Sequence, residues 1–304
     1  EITATGKPFV HYHAAHCETG VTAALLRYKG LDISESMIFG IGSGIFFGHF
    51  PFFKVMGLPI TTHRVQPAAI FRKAAKRLGW KFVTQRFRNA QKGMDELKRV
   101  LRSGQIVGLT TNIYWLSYIP NRFRFQFNGH NIVVLREIEG GFRVSDPVLA
   151  DPVDCPAEDL IRARFARGPL EPHGFMYYPV SNNLHPDLRR ACVEGMLDTC
   201  NMMLRIPLPI IGIRAIRFLA KRVIKFEKTY GFEEGCRQLG TIIRMQEEVG
   251  TGGAGFRYMY AAFLQEAAEL LGSDKLLELS QEMTAIGDIW REFAVTSARI
   301  IKKR

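Results

Sequence analysis

The stretch Gly129-His130-Asn-Ile-Val-Val-Leu-Arg-Glu-Ile-Glu-Gly140-Gly141-Phe-Arg-Val-Ser-Asp146-Pro147 decides the fold. His130 opens an apolar run, 132–135, rich in β-branched residues, as a strand requires. Gly140-Gly141 supplies the backbone freedom of a tight hairpin turn, and residues 142–145 return as the partner strand. Antiparallel pairing across that turn carries Asp146 back beside His130. Residues 105–111 are also β-rich, so the middle of the chain reads as an antiparallel sheet.

Toward the N-terminus the period changes. Val21, Ala24, Leu25 and Tyr28 fall at helical spacing, and Gly30 suits the stop. Ser34 can cap a second short helix that turns Met37, Ile38 and Ile41 inward. Residues 67–78 read as a basic amphipathic helix, 81–87 as a strand and 95–101 as a helix. Toward the C-terminus strand signals fade, except at 175–180. Helices are expected after Pro156 and over 186–204, 214–228, 232–248, 256–271 and 274–293. Helices, then an antiparallel sheet, then a helical tail predict an α+β fold. The expected domains are 1–182 and 183–304.

Residues 37–53 carry no formal charge. A spanning helix needs about 20 mostly apolar residues. The glycines at 40, 42, 44 and 48 and Pro51 favour buried core with tight turns instead.

The 304 residues are 47% apolar and 23% charged, which excludes a disordered or collagen-like chain. The net charge of +12 is uneven: residues 1–150 hold 20 basic and 9 acidic side chains, net +11, and the remainder is nearly balanced. A positive half attracts an acidic partner, whether a protein, a nucleic acid, an anionic membrane or an anionic substrate. The basic stretch 72–102 comes with no recognisable nucleic-acid-binding fold, so nucleic acid is not expected. Five cysteines without a CxxC pair fit a reducing compartment, and no secretory signal is read at Glu1. The cytoplasm is the expected location.

Cys17 immediately precedes the first long helix. There a thiol faces unpaired N–H groups and the positive end of the helix dipole, both of which favour thiolate. A nucleophilic thiol also needs a base and a group that orients it. Cys17, His130 and Asp146 therefore make a candidate triad. Each has an ordinary alternative: a small buried hydrophobe, a structural histidine, a turn aspartate before proline. Glu35 lies in an apolar window, where it can hydrogen-bond the Cys17 region or merely cap its helix. His11, His13 and His16 miss the spacing of metal ligands, and no metal is expected.

The run from His130, the turn and Val144-Ser-Asp146-Pro147 resemble the His and Asp motifs of papain-like peptidases that process bacteriocin leaders. More closely, His16-Cys17-Glu18-Thr19, Gly30, Ile33-Ser-Glu35-Ser and Phe39-Gly-Ile-Gly-Ser-Gly44 resemble the N-terminal domain of the BtrH-like acyltransferases of butirosin biosynthesis. Gly250-Thr-Gly-Gly-Ala-Gly-Phe-Arg257, Ala261, Phe263-Leu264 and Trp290 are similar to the helical domain that often follows it. The resemblance implies a papain-like N-terminal domain and an acyltransferase of specialised metabolism. Such an enzyme moves an acyl group from an acyl-carrier-protein thioester to an amine or hydroxyl acceptor. It implies Cys17 as nucleophile, His130 as base and Asp146 as orienting carboxylate. The leader peptidases hold the oxyanion with a Gln six residues before the Cys; here that position is His11, taken as an oxyanion or supporting group.

No tightly bound cofactor is expected; the donor would be the phosphopantetheine arm of an acidic carrier protein. Gly252, Gly253 and Arg257 precede or open a helix and could touch its phosphate, although a tight turn explains them equally well. The aromatic segments 46–47, 50–53 and 114–115 could line an acyl tunnel, or simply pack. Arg214, Arg217, Lys221, Lys225 and Lys228 recur at helical spacing and would suit a carrier protein or a peripheral membrane contact. Two other functions fit the same residues. Water could be the acceptor, giving a thioesterase, amidase or peptidase, or the chain could be a non-catalytic binding module.

Overall fold

A computed structural model describes all residues except 4, 5, 56, 182, 251 and 304. In chain order the helices and strands are α1 (Cys17–Tyr28), α2 (Glu35–Ile41), β1 (Ile45–Val55), β2 (Leu58–Arg64), α3 (Ala69–Arg77), β3 (Phe82–Gln85), α4 (Ala90–Arg102), β4 (Val107–Thr111), β5 (His130–Ile138), β6 (Gly141–Ser145), β7 (Val153–Pro156), α5 (Ala157–Arg164), β8 (Met176–Pro179), α6 (Leu188–Cys200), α7 (Gly212–Val223), α8 (Phe226–Tyr230), α9 (Phe232–Glu247), α10 (Arg257–Leu271) and α11 (Asp274–Ile301). The fold is α+β, with every strand pair antiparallel.

The chain folds into two compact units, residues 1–35 with 78–186 and residues 36–77 with 187–304. Residue 182, where the expected division falls, lies outside those described. The expected first domain is not one contiguous unit: residues 36–77 belong with the C-terminal helices. Their apolar faces explain it. Phe39 stacks on Phe256 at 5.1 Å, the ring of Phe263 fills the space beside Gly40, and Phe47 packs on Trp290 at 5.7 Å. Asp198 of α6 accepts from Lys73 at 2.7 Å and from Arg77 at 2.8 Å, both on α3. Burial raises the Asp198 pKa, but these two cations outweigh it and hold the carboxyl at about 2.

The first unit is built on a six-stranded sheet of order β3-β8-β4-β5-β6-β7. Strand alternation sorts its side chains. Val107, Leu109, Ile132, Val134, Phe142, Val144 and Met176 join Met94, Leu97 and Val100 of α4 and Leu160 and Ala163 of α5 in one core. The intervening residues face α1. A Cβ on Gly108 would lie 2.8 Å from the Tyr177 ring and 3.1 Å from Leu25 of α1, so the missing side chain lets the helix lie close to β4. At the helix start a Cβ on Gly20 would sit 2.6 Å from Ala14 and 3.0 Å from Pro147. That close approach fixes the Cys17 end of α1 beside the loop after β6.

The stretch 37–53 is α2 followed by β1, which pairs with β2 in a hairpin of the second unit. Among the described residues no helix is long and apolar enough to cross a membrane. The aromatic segments lie in different surroundings: Phe47 is core, whereas Phe52, Phe53 and Tyr114 are exposed.

Arg164, the last residue of α5, is fully buried and faces no acid. Its guanidinium donates to the carbonyls of Gly93 at 2.9 Å and Gly174 at 3.0 Å, and burial brings its pKa down to about 9. Arg164→Leu would remove both hydrogen bonds and should destabilise the first unit by about 3 kcal/mol, read as a lowered urea midpoint.

Candidate active site

Cys17 is the first residue of α1 and is 7% exposed. No side chain of His16 caps the helix. The cap comes from Glu35, whose carboxylate accepts the N–H of Ala15 at 2.9 Å, the N–H of His16 at 3.3 Å and the Thr19 hydroxyl at 3.3 Å. A carboxylate at a helix start is favoured by the helix dipole. Glu35 thus fixes the turn that carries the thiol.

The hairpin places the other two groups. Val133 faces Ser145 and Val134 faces Val144, with a register shift before Arg136. Continued past Ser145, this pairing sets Asp146 opposite Ile132, diagonal to His130 on the same face. Nε2 of His130 lies 2.7 Å from Oδ2 of Asp146. Asp146 is fully buried and His130 is 3% exposed. The carboxylate also accepts the Tyr118 hydroxyl at 2.9 Å and the Val148 N–H at 3.1 Å. With Nε2 committed, Nδ1 is the nitrogen left to serve the thiol.

The electrostatics follow from these contacts. Burial disfavours charge on His130, but the Asp146 carboxylate and the Cys17 sulfur outweigh it, and the pKa rises to about 10. Burial likewise raises the Cys17 pKa, but hydrogen bonds from His130 and Asn131 outweigh it and bring the thiol below its ordinary value. The pair is held toward thiolate and imidazolium, the nucleophilic form. Cys155 and Cys192 are the counterexample: burial without a cation pushes each up to about 12.

His11 is not free to hold an oxyanion. Its Nε2 lies 2.9 Å from the Leu149 carbonyl, to which it must donate, and Nδ1 lies 2.8 Å from the Ser145 hydroxyl. A neutral imidazole has one N–H, and Leu149 takes it. His11 instead braces the backbone on either side of Asp146. Arg257 is likewise spoken for. It is 3% exposed, donates to the carbonyls of Ala254 and Gly255 at 3.0 Å each, and lies 4.0 Å from the Trp290 ring centre. The anion in the glycine loop is internal: Glu247 accepts the Ala254 N–H at 3.2 Å and pairs with Arg291 at 3.2 Å beside Gly253. Gly252 is in the left-handed region, φ +62°, and Gly253 at φ +91°, as a tight turn requires. This loop lies in the second unit and holds itself together.

Sequence reasoning missed three groups: Tyr118, which orients Asp146, and Asn131 and Tyr177. Nδ2 of Asn131 lies 3.8 Å from the Cys17 sulfur, and the Tyr177 hydroxyl donates to Oδ1 of Asn131 at 3.0 Å. The parity of β5 held the signal for Asn131, since its neighbours Ile132 and Val134 face the opposite core.

A thiol at the head of a helix, laid on an antiparallel sheet that supplies imidazole and carboxylate, is the papain-like arrangement of a cysteine enzyme. Residues 16–147 match the family described as Butirosin biosynthesis protein H, N-terminal, and residues 158–304 match the domain of unknown function DUF4872. The chain is thus similar, one match after the other, to a BtrH N-terminal domain and a DUF4872 domain. Among solved structures it resembles a C39-like peptidase from Bacillus anthracis, at 15% identity and a TM-score of 0.40, over 60% of this chain and 98% of that one. No curated protein matches the chain. The geometry of the site and the match at 16–147 fit a cysteine-dependent enzyme.

Because the Cys17 pKa is lowered, its thiolate is present at pH values where ordinary thiols are protonated. At pH 6 iodoacetamide should label Cys17 at least ~10-fold faster than Cys155 or Cys192, checked by peptide mass spectrometry. Asp146→Asn, which removes the charge that stabilises imidazolium, should slow Cys17 labelling at pH 6 by roughly tenfold or more.

Proposed function

We propose that the chain is a cysteine-dependent acyltransferase that takes an acyl group from a carrier-protein thioester and gives it to an amine or hydroxyl acceptor. The observation that carries this reading is the buried Asp146 carboxylate holding His130 by Nε2 at 2.7 Å, with the Cys17 thiol brought below its ordinary pKa.

In the first half-reaction the Cys17 thiolate attacks the thioester carbonyl carbon. The tetrahedral intermediate expels the carrier's thiolate, which takes the proton from His130. One thioester replaces another, so the step is nearly balanced. In the second half-reaction the acceptor amine attacks the Cys17 acyl-enzyme while neutral His130 removes its proton. Collapse releases the amide and restores thiolate and imidazolium. Asp146 keeps the imidazole in one orientation through both halves, and Tyr118 keeps Asp146 in place.

Charge supports the choice of donor: the chain's net charge of +12 suits an acidic carrier protein and its phosphopantetheine arm. The family domain at 16–147 supports acyl transfer over peptide cleavage.

Incubation with an acyl-carrier-protein thioester should add the acyl mass to Cys17, and an added amine should discharge it faster than water does. Cys17→Ala should abolish the adduct and cut turnover by about 10⁴-fold or more. Discharge unchanged by amine would make the protein a hydrolase, and absence of any adduct across donors would make it a binding module.

A further inference from the structure

We propose that Asn131 is a further catalytic residue: its carboxamide holds the Cys17 thiolate and then binds the oxyanion of the acyl-transfer intermediate. This inference rests on the reading of Cys17 as acyl carrier, and it fills the place that His11 leaves open.

Topology brings the group there. Along β5, Ile132 and Val134 face the α4–α5 core, so residue 131 faces α1. Cys17 is the first residue of that helix. Asn131 is 5% exposed. Its Nδ2 lies 3.8 Å from the sulfur and 3.1 Å from the Gly129 carbonyl. Its Oδ1 accepts the Tyr177 hydroxyl at 3.0 Å and the Thr110 hydroxyl at 3.3 Å. Tyr177 and Thr110 lie on β8 and β4, which pair with each other and with β5. Two hydroxyl donors on one end of the amide define which end is oxygen, so the NH₂ end faces the thiol.

The chemistry uses this donor twice. Before attack it stabilises negative charge on sulfur. As the C–S bond forms, the carbonyl π pair moves onto oxygen, one bond from the carbon that the sulfur has joined. A donor fixed 3.8 Å from the sulfur is within hydrogen-bond reach of that oxygen. As the carrier's thiolate leaves, the pair returns to re-form C=O. No proton passes through Asn131, and the orientation set by Tyr177 and Thr110 is held throughout.

Two reactions of Cys17 separate the roles. Alkylation by iodoacetamide needs the thiolate but forms no oxyanion; acylation by a carrier thioester needs both. In Asn131→Ala the pH profile of alkylation should move upward, with about a tenfold lower rate at pH 6 and an unchanged plateau at high pH. Acylation at that plateau pH should fall by about 10²-fold to 10³-fold. Tyr177→Phe, which keeps the ring and removes only the hydroxyl that orients the amide, should shift both readouts in the same sense by a smaller factor. An unmoved alkylation profile, or alkylation and acylation reduced equally at the plateau, overturns the proposal. Failure of the parent protein itself to acylate on Cys17 would instead overturn the reading of its function.

Discussion

The 2.7 Å contact between Nε2 of His130 and Oδ2 of Asp146 is the interaction on which the site depends. An imidazole 3% exposed would ordinarily shed its proton, because burial penalises charge. The carboxylate reverses that preference, and the resulting cation lowers the pKa of a buried thiol. Remove the carboxylate and the sulfur has the same environment as Cys155, a burial that raises its pKa. The contact is itself supported from three sides. The β5–β6 hairpin sets the diagonal, Tyr118 and Val148 saturate the carboxylate, and His11 ties Ser145 to Leu149. A desolvated charge tolerates little misplacement, and these supports hold it in one position.

Much of this could be read from residue order because it rests on local signals. A glycine turn between two β-rich runs specifies a hairpin, and a hairpin specifies who returns beside whom. The helix after Cys17 was equally plain from Val21, Ala24, Leu25 and Tyr28. What escaped needed pairings between distant segments. Tyr177 reaches Asn131 only because β8 inserts between β3 and β4, an order that no local signal encodes. The β1–β2 hairpin hid in an apolar run whose inner half is buried without alternation, so that period-2 patterning is absent. The membership of residues 36–77 in the second unit depends on Phe39, Gly40 and Phe47 meeting side chains some two hundred residues later. For His11, the expected role came from its position six residues before the thiol. Spacing fixed the neighbourhood but not the partners, and Ser145 and Leu149 took both nitrogens.

The two most deeply buried arginines teach a related lesson about motifs. Arg257 follows a glycine-rich turn at a helix start, where phosphate binding is a fair expectation. Its guanidinium is spent on the loop's own carbonyls and on Trp290. Arg164 does the same for Gly93 and Gly174. In both, guanidinium N–H groups donate to main-chain carbonyls rather than to an acid. A cation enclosed by main-chain oxygen is structural glue, whatever the sequence around it suggests.

Strand parity has one more consequence. Because successive side chains of β5 point to opposite faces, a slip of a single residue would put Ile132 under the sulfur and turn Asn131 into the greasy layer beside Leu97. Such a misfolded population would keep its sheet content and its compactness, yet own no anionic thiol. A count of reactive sulfurs per chain is therefore a gauge of how many molecules have found their proper alignment, which bulk spectroscopy of secondary structure would overlook.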